Sequence, residues 1–202
     1  MAATRKRSVR RIPRQPRALV TVEAILDAVV RILKRDGVEA VTTNRIAEVA
    51  GVSVGSVYQY FPDKRAIFLA LHDRHVAEVG RVIDSSLVAH AGSSLEDVLR
   101  ALLEALIDAH DPDPELFALL DAEVPHRAAS ARHLQDRLRS ALQLAISSHR
   151  RLPARDLERT LFVVTHMMDA FAHGVVFGRP ARLSLSAAKA EAVTAMMAYL
   201  RA

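Results

Sequence analysis

The chain has 202 residues, of which half are hydrophobic and a quarter are charged, with six Phe, three Tyr and no Trp. This length supports one or two small domains with hydrophobic cores, and the low aromatic content favours helices over a sheet sandwich. The absence of cysteine excludes a disulfide framework, a thiolate metal site and a cysteine nucleophile, and it is compatible with a reducing cytoplasm.

The positive charge is concentrated at the N-terminus. The formal net charge is +5, yet residues 1–20 contain no acid and hold Arg5, Lys6, Arg7, Arg10, Arg11, Arg14 and Arg17, so the remainder is slightly acidic. We expect residues 1–20 to be a disordered basic arm. It is either a solvated leader that aids solubility or a segment that lies along DNA phosphates or enters the minor groove.

We predict no membrane span and no secretory signal. The longest apolar run, 161–168, is interrupted by Thr165 and His166 and is far shorter than the roughly 18 residues that a spanning helix needs. Pro13 and Pro16 occupy the place where a signal peptide has its apolar stretch.

A long first helix is predicted to open at Thr21 and to stop at Gly37, with one apolar stripe between them. The stretch TTNRIAEVAGVSVGSVYQYFPDK, residues 42–64, then predicts two short helices joined by a tight turn at Gly51. Ser53 can cap the second helix.

The second short helix is predicted to present one face outward. Val57 and Phe61, four residues apart, point inward. The residues left facing out are Ser53, Gly55, Ser56, Tyr58, Gln59 and Tyr60. A helix this short has no core of its own, and this geometry suits recognition in a DNA major groove.

The rest of the chain predicts further helices and no strand. Asp63 caps a long helix that begins at Lys64 and would link the first part of the chain to the rest, and Ser94-x-x-Asp97 is a capping-box signature. A short helix near Phe117, one beginning at Pro125, one over 154–177 and one from about Ser186 follow. The fold class is therefore all-α, with about nine helices.

The helices over 154–177 and 187–201 are apolar around much of their circumference, which predicts a partner surface. The alternative is a buried hairpin in a monomer.

The order of residues over 42–64 resembles the N-terminal DNA-binding domain of TetR/AcrR transcriptional regulators, and the resemblance covers roughly 21–70. It implies a three-helix helix-turn-helix domain over 21–68 and a larger C-terminal effector-binding and dimerisation domain over 69–202. It also implies a cytoplasmic homodimer, paired through the helices near 154–177 and 187–201, that binds a palindromic operator. A small, largely apolar effector would release the DNA. No cofactor, no metal and no enzymatic activity are expected.

Within this resemblance, Thr43 is predicted to cap the first motif helix and, with the amides near Thr42, to meet a phosphate. Arg45 is a second phosphate partner, and Gly55 permits close approach of the backbone to DNA. The predicted base contacts are Ser56, Tyr58 and Gln59. The two remaining predicted phosphate contacts are Tyr60 and Lys64. Alternatively, the two tyrosines are packing residues that border the DNA and Lys64 is an ordinary solvated charge.

The sequence of the C-terminal half indicates a function less specifically than residues 42–64 do. His166, Asp169 and His173 share one face of an apolar helix. They are interpreted as polar groups of an effector pocket that also includes Phe117, as interface residues, or as a buried hydrogen-bonded pair. A metal site is a further alternative, although one helix rarely supplies a complete set of ligands. The leading function is a ligand-released repressor. A DNA-binding regulator without an effector and a metal-dependent enzyme are the alternatives.

Overall fold

The computed structural model describes residues 16–110, 129–149 and 156–202, together with Leu116 and Leu119. The helices are α1 (Pro16–Asp36), α2 (Thr43–Ala50), α3 (Val54–Tyr60), α4 (Lys64–Ala89), α5 (Leu95–His110), α6 (Ala129–Ser147), α7 (Leu157–Phe177) and α8 (Leu185–Arg201). A 3-10 turn, Val38–Ala40, lies between α1 and α2. No strand occurs in these ranges, which confirms the predicted all-α class. The predicted elements near Phe117 and Pro125 lie outside the described residues.

Local signals place most helix ends, and the start of α1 is an exception. The expectation that Thr21 opens the first helix is wrong, because α1 begins at Pro16. Proline is well tolerated in the first helical turn, where its missing N–H would have had no intrahelical partner. Gly37 and Gly51 follow α1 and α2 with φ of 79° and 68°, a backbone region that favours glycine. Asp63 caps α4, since its Oδ1 accepts a bond of 2.8 Å from the Ala66 amide.

The chain divides into two compact units, and the division falls inside α4, between Arg74 and His75. The predicted domain boundary after residue 68 lies in the same helix. In the first unit α1 packs against α2, and α2 packs against α3. Arg31 of α1 donates a bond of 3.2 Å to the carbonyl of Val49 near the end of α2.

Arg74 ties α4 to α1 within the first unit. Its Nη1 lies 2.7 Å from an Asp27 oxygen and 3.0 Å from a Glu23 oxygen. These ion pairs are partly exposed, so we expect each to contribute at most about 1 kcal/mol and to act mainly by fixing the orientation of the helix.

The second unit is built around a leucine-rich core. Its fully buried residues include Leu99, Leu102 and Leu103 of α5, Leu142 of α6 and Leu161 of α7. α7 packs against α5, α6 and α8, and α5 likewise packs against α6, α7 and α8. Lys189 of α8 lies 3.3 Å from Asp108 of α5, which adds one ion pair to this packing.

Among the described residues one helix, α7, is long and apolar enough to cross a membrane by length and composition alone. The core helix of a globular unit passes the same test. Leu161, Val164 and Met168 of α7 are completely buried against its neighbours, which accounts for its apolar character.

Candidate nucleic-acid interface

The N-terminus of α2 is capped by Thr42, so the prediction that Thr43 is the cap is wrong. The Thr42 side-chain oxygen accepts a bond of 3.3 Å from the Arg45 amide, and its φ and ψ of −115° and 154° are those of a residue before a helix. The Thr43 hydroxyl instead donates to the phenolic oxygen of Tyr58 at 3.4 Å. This long contact joins α2 to α3.

The turn from α2 into α3 has the predicted chemistry. After Gly51, Ser53 caps α3 by accepting a bond of 3.0 Å from the Ser56 amide. The hydroxyls of Ser53 and Ser56 also lie 2.8 Å apart and share a hydrogen bond. These bonds stabilise the start of a helix of seven residues, which would be marginal without a cap.

α3 has a buried face and an exposed face. Val57 and Phe61 are 1% exposed, as predicted. The outward placement of Tyr60 is wrong, because this side chain is only 9% exposed and belongs to the core. Ser53, Gly55, Tyr58 and Gln59 are exposed, and Ser56 is half-buried. The predicted base-reading residues therefore share an accessible surface, while Tyr60 is a packing residue at its border.

Gly55 has no packing reason to be glycine. A Cβ placed there would meet nothing closer than the Ser53 hydroxyl oxygen, at 3.7 Å, and its φ is not positive. Glycine in a helix interior costs roughly 1 kcal/mol relative to alanine. Glycine at position 55 therefore lowers helix stability without any gain in packing. This favours the interpretation that it allows the backbone of α3 to approach a ligand closely.

We expect Gly55→Ala to raise the stability of the protein by about 0.5–1 kcal/mol, because alanine is the better helix former. The same change should weaken DNA binding about tenfold, since the added methyl group lies between the backbone and the groove. Thermal unfolding and fluorescence anisotropy check the two effects. Ser140→Ala on the exposed side of α6, outside the first unit and the helices predicted to pair, is the control that should leave DNA affinity unchanged. Unchanged DNA binding by Gly55→Ala would contradict the close-approach interpretation.

The two predicted phosphate-binding cations have intramolecular partners. Arg45 lies 2.7 Å from Glu48 and 3.7 Å from Asp36. The Arg35 guanidinium, which donates hydrogen bonds to Asp36, holds the pKa of that carboxyl below its ordinary value. Lys64 donates a bond of 2.9 Å to the carbonyl of Val38, and its ammonium lies 5.3 Å from the centre of the Phe68 ring. Lys64 is nevertheless exposed, so its role as a phosphate contact and its alternative as a solvated charge both stay predictions.

Two residues of this surface were missed by the sequence reasoning. Val54, the first residue of α3, is 37% exposed, and Arg65 is exposed in the first turn of α4 beside Lys64. An apolar residue directly after the Ser53 cap and a second cation after Lys64 were the available signals. Val54 is suited to contact a thymine methyl group, and Arg65 to contact a phosphate.

In the second unit, the His166, Asp169 and His173 side chains lie on the outward side of α7. His166 is exposed and donates from Nδ1 to the Phe162 carbonyl at 2.7 Å. The Nδ1 of His173 is 2.9 Å from the Asp169 carbonyl and 3.6 Å from an Asp169 carboxylate oxygen. The interpretation as a buried pair is wrong, because the Asp169 and His173 side chains are 46% and 38% exposed. Among the described residues, no three His, Asp or Glu groups form a metal-binding set. Phe117 lies outside the described residues.

Two family models match the chain. The model described as bacterial regulatory proteins of the tetR family matches residues 25–71, which include α2, α3 and the start of α4. The model described as the tetracyclin repressor-like C-terminal domain matches residues 94–200, more than half of the chain. The chain belongs to the TetR family. The resemblance predicted from residues 42–64 is thereby confirmed.

The curated relatives of this TetR-family chain are distant. The nucleoid occlusion factor SlmA of Actinobacillus pleuropneumoniae serotype 5b is 29% identical over 99 residues, which are 48% of this chain and 48% of that protein. The HTH-type transcriptional repressor KstR of Mycobacterium tuberculosis is 37% identical over 67 residues, 33% of this chain and 30% of that protein. The chain thus spans about half, or less, of the length of these relatives.

Solved structures of similar fold cover nearly the whole chain. A TetR-family transcriptional regulator from Streptomyces coelicolor has a TM-score of 0.62 at 24% identity and covers 89% of this chain and 97% of its own. The fatty acid degradation regulator FadR from Bacillus halodurans has a TM-score of 0.68 at 17% identity, with 94% and 99% covered. At these identities the likeness shows the fold.

Proposed function

We propose that this TetR-family chain is a sequence-specific DNA-binding transcriptional regulator that acts as a homodimeric repressor on a palindromic operator. The observation that carries the proposal is the exposed surface of α3. Tyr58 and Gln59 are accessible on a helix anchored by Val57 and Phe61, and Gly55 leaves room for a groove wall. A two-fold dimer presents two such helices to equivalent half-sites.

The proposed phosphate contacts surround this helix. The amides at the start of α2, next to Thr42 and Thr43, and the cations Arg45, Lys64 and Arg65 all belong to the first unit. On DNA, Arg45 and Lys64 would give up their intramolecular bonds and bind phosphates instead. The new charge-assisted bonds to phosphate would offset the loss of the intramolecular ones. The relative KstR is named a transcriptional repressor, which supports repression over activation as the proposed effect.

The regulator is proposed to release DNA when a small, largely apolar molecule binds among α5 to α8. Thr165 of α7 supports a polar contact there. Its side chain is 5% exposed, and its hydroxyl has no hydrogen-bond partner among the described residues. A buried hydroxyl without a partner costs about 1–3 kcal/mol, which a bound oxygen or nitrogen atom would recover. Pocket roles for His166, Asp169, His173 and Phe117 stay predictions.

Thr165→Val is expected to stabilise the free protein by about 1 kcal/mol, because valine has nearly the same shape and no hydroxyl to desolvate. It should also weaken the response to an effector that bonds to Thr165. Chemical denaturation and effector titration measure the two quantities. Ser140→Ala on the exposed side of α6, where the hydroxyl already donates to the Asp136 carbonyl, is the control. A destabilised Thr165→Val protein would show that the hydroxyl is satisfied.

Two other functions are less well supported. A regulator without an effector would show no thermal shift with any member of a broad ligand panel. For an enzyme, the described residues offer no metal-binding set, and the matching families are regulatory. We therefore propose a non-enzymatic protein of the cytoplasm, where operator DNA is found.

The test is fluorescence anisotropy across a salt series, comparing duplexes enriched by in-vitro selection with random duplex. A two-fold symmetric winner favoured by roughly a thousandfold over random DNA would establish the regulator. Equal and steeply salt-dependent binding to every duplex would contradict it, because such binding needs only the basic arm.

A further inference from the structure

The exposed face of α3 begins with an apolar side chain. Val54, the first residue of this helix, is 37% exposed, whereas Val57 is buried and anchors the helix in the core. Tyr58 lies four residues after Val54, so at 100° per residue the two side chains point within about 40° of each other. The Tyr58 ring is 50% exposed. The methyl groups of Val54 and this ring therefore share one accessible side of α3.

The polar groups beside Val54 are bonded within the protein. The hydroxyls of Ser53 and Ser56 lie 2.8 Å apart, and the Ser53 oxygen also accepts a bond of 3.0 Å from the Ser56 amide. α3 itself, with the sequence VGSVYQY, contains no charged residue. The helix thus lacks an arginine or lysine, the side chains that most often read guanine O6 and N7. The start of α3 offers a base edge an apolar contact in place of a charged donor.

An apolar contact distinguishes pyrimidines by a single feature. In the major groove, thymine presents the O4 acceptor and the C5-methyl group, while cytosine presents the N4 amino donor and only a hydrogen at C5. 5-Methylcytosine combines the amino group of cytosine with the methyl group of thymine. Because valine has neither a donor nor an acceptor in its side chain, it responds to the methyl group and not to the group at C4.

We propose that Val54 reads the 5-methyl group of one pyrimidine in each half-site, so that thymine and 5-methylcytosine are both accepted there. The unmethylated pyrimidines, cytosine and uracil, are bound more weakly at this position. This inference rests on the proposed DNA-binding function and specifies what the start of α3 recognises. It also gives binding a form of regulation, since methylation of a cytosine at this position would convert a weak site into a stronger half-site.

Base analogues test the proposal with the unaltered protein. In duplexes that carry the operator obtained by in-vitro selection, each pyrimidine of one half-site is replaced in turn by thymine, deoxyuridine, cytosine or 5-methylcytosine, with the matching purine opposite. Deoxyuridine differs from thymine only by the missing methyl group, and 5-methylcytosine differs from cytosine only by the added one. Both groups lie in the major groove, so contacts of the basic arm in the minor groove do not affect the comparison.

The expected size of the effect follows from the burial of one methyl group, which corresponds to about fourfold in affinity. We expect one position at which thymine binds about fourfold more tightly than deoxyuridine in fluorescence anisotropy. At that same position, 5-methylcytosine should bind about fourfold more tightly than cytosine. Equal ratios in the two comparisons are the signature of a contact that senses the methyl group alone.

Val54→Ala assigns the effect to this side chain. The variant should bind the methylated and unmethylated duplexes with nearly equal affinity, because alanine is too short to reach the methyl group. Val88→Ala is the matched control, since Val88 is an exposed valine of α4 that belongs to the second unit. This control should keep the fourfold ratios. Circular dichroism verifies that both variants are folded.

A methyl effect that persists in Val54→Ala would overturn the proposal, because another group such as Tyr58 would then read the methyl. A tightly bound operator without a methyl effect at any pyrimidine would also overturn it, as would an effect for thymine that 5-methylcytosine does not reproduce. These three outcomes leave the proposed regulator standing. Equal binding to the selected operator and to random duplex would refute both the methyl contact and the regulator.

Discussion

Removal of residues 1–15 is expected to weaken operator binding about a hundredfold near physiological salt. The deletion removes six of the seven cations in the basic arm and ends just before Pro16, where α1 begins. Each lost phosphate contact lowers the slope of log affinity against log salt by about 0.9, so a loss of four contacts would lower it by about 3.6. Anisotropy titrations at several salt concentrations give both the affinity and the slope.

Two comparisons isolate the role of charge in the arm. A full-length variant with the six cations changed to Gln should behave like the deletion. Changing Arg179 and Arg182, two exposed cations between α7 and α8, to Gln should leave the slope unchanged. An unaltered slope in the shortened protein would mean that the arm is a solvated leader and that the phosphate contacts come from Arg45, Lys64 and Arg65.

Gln59→Ala is expected to remove discrimination at one base position in each half-site, at a cost of roughly 1–3 kcal/mol. Gln59 is exposed on α3, and its amide can donate to and accept from an adenine edge in the major groove. Alanine loses this pairing and keeps the helix. The measurement compares the selected operator with a set of single-base substitutions, for the wild-type and the variant.

The pattern across the base substitutions is decisive for Gln59. If Gln59 reads a base, the variant should bind the operator and one substituted site with equal affinity, while every other substitution still weakens binding. Gln135→Ala on the exposed side of α6 is the matched control and should leave the whole pattern unchanged. A uniform loss across all sites would assign Gln59 to the DNA backbone instead of to a base.

Short-range signals predicted the ends of the DNA-binding helices well. Gly51, Ser53 and Asp63 act on amides or turns within three residues of themselves, so their roles follow from local spacing. Local spacing does not decide between Thr42 and Thr43 as the cap, because either of two neighbouring threonines can bond to the first free amides. The start of α1 was misplaced because proline is allowed in a first helical turn and gives no stop signal there.

The sequence by itself determined the all-α class, the α2–turn–α3 motif and the family, because these depend on periodicity, caps and glycine positions along a continuous stretch of chain. Tertiary structure decided the burial of Tyr60, the bond of Lys64 to a carbonyl 26 residues away, and the outward direction of His166, Asp169 and His173. A helix that is apolar on most sides does not show which side its neighbours will cover. That choice depends on how α5, α6 and α8 pack around α7, which local spacing does not encode.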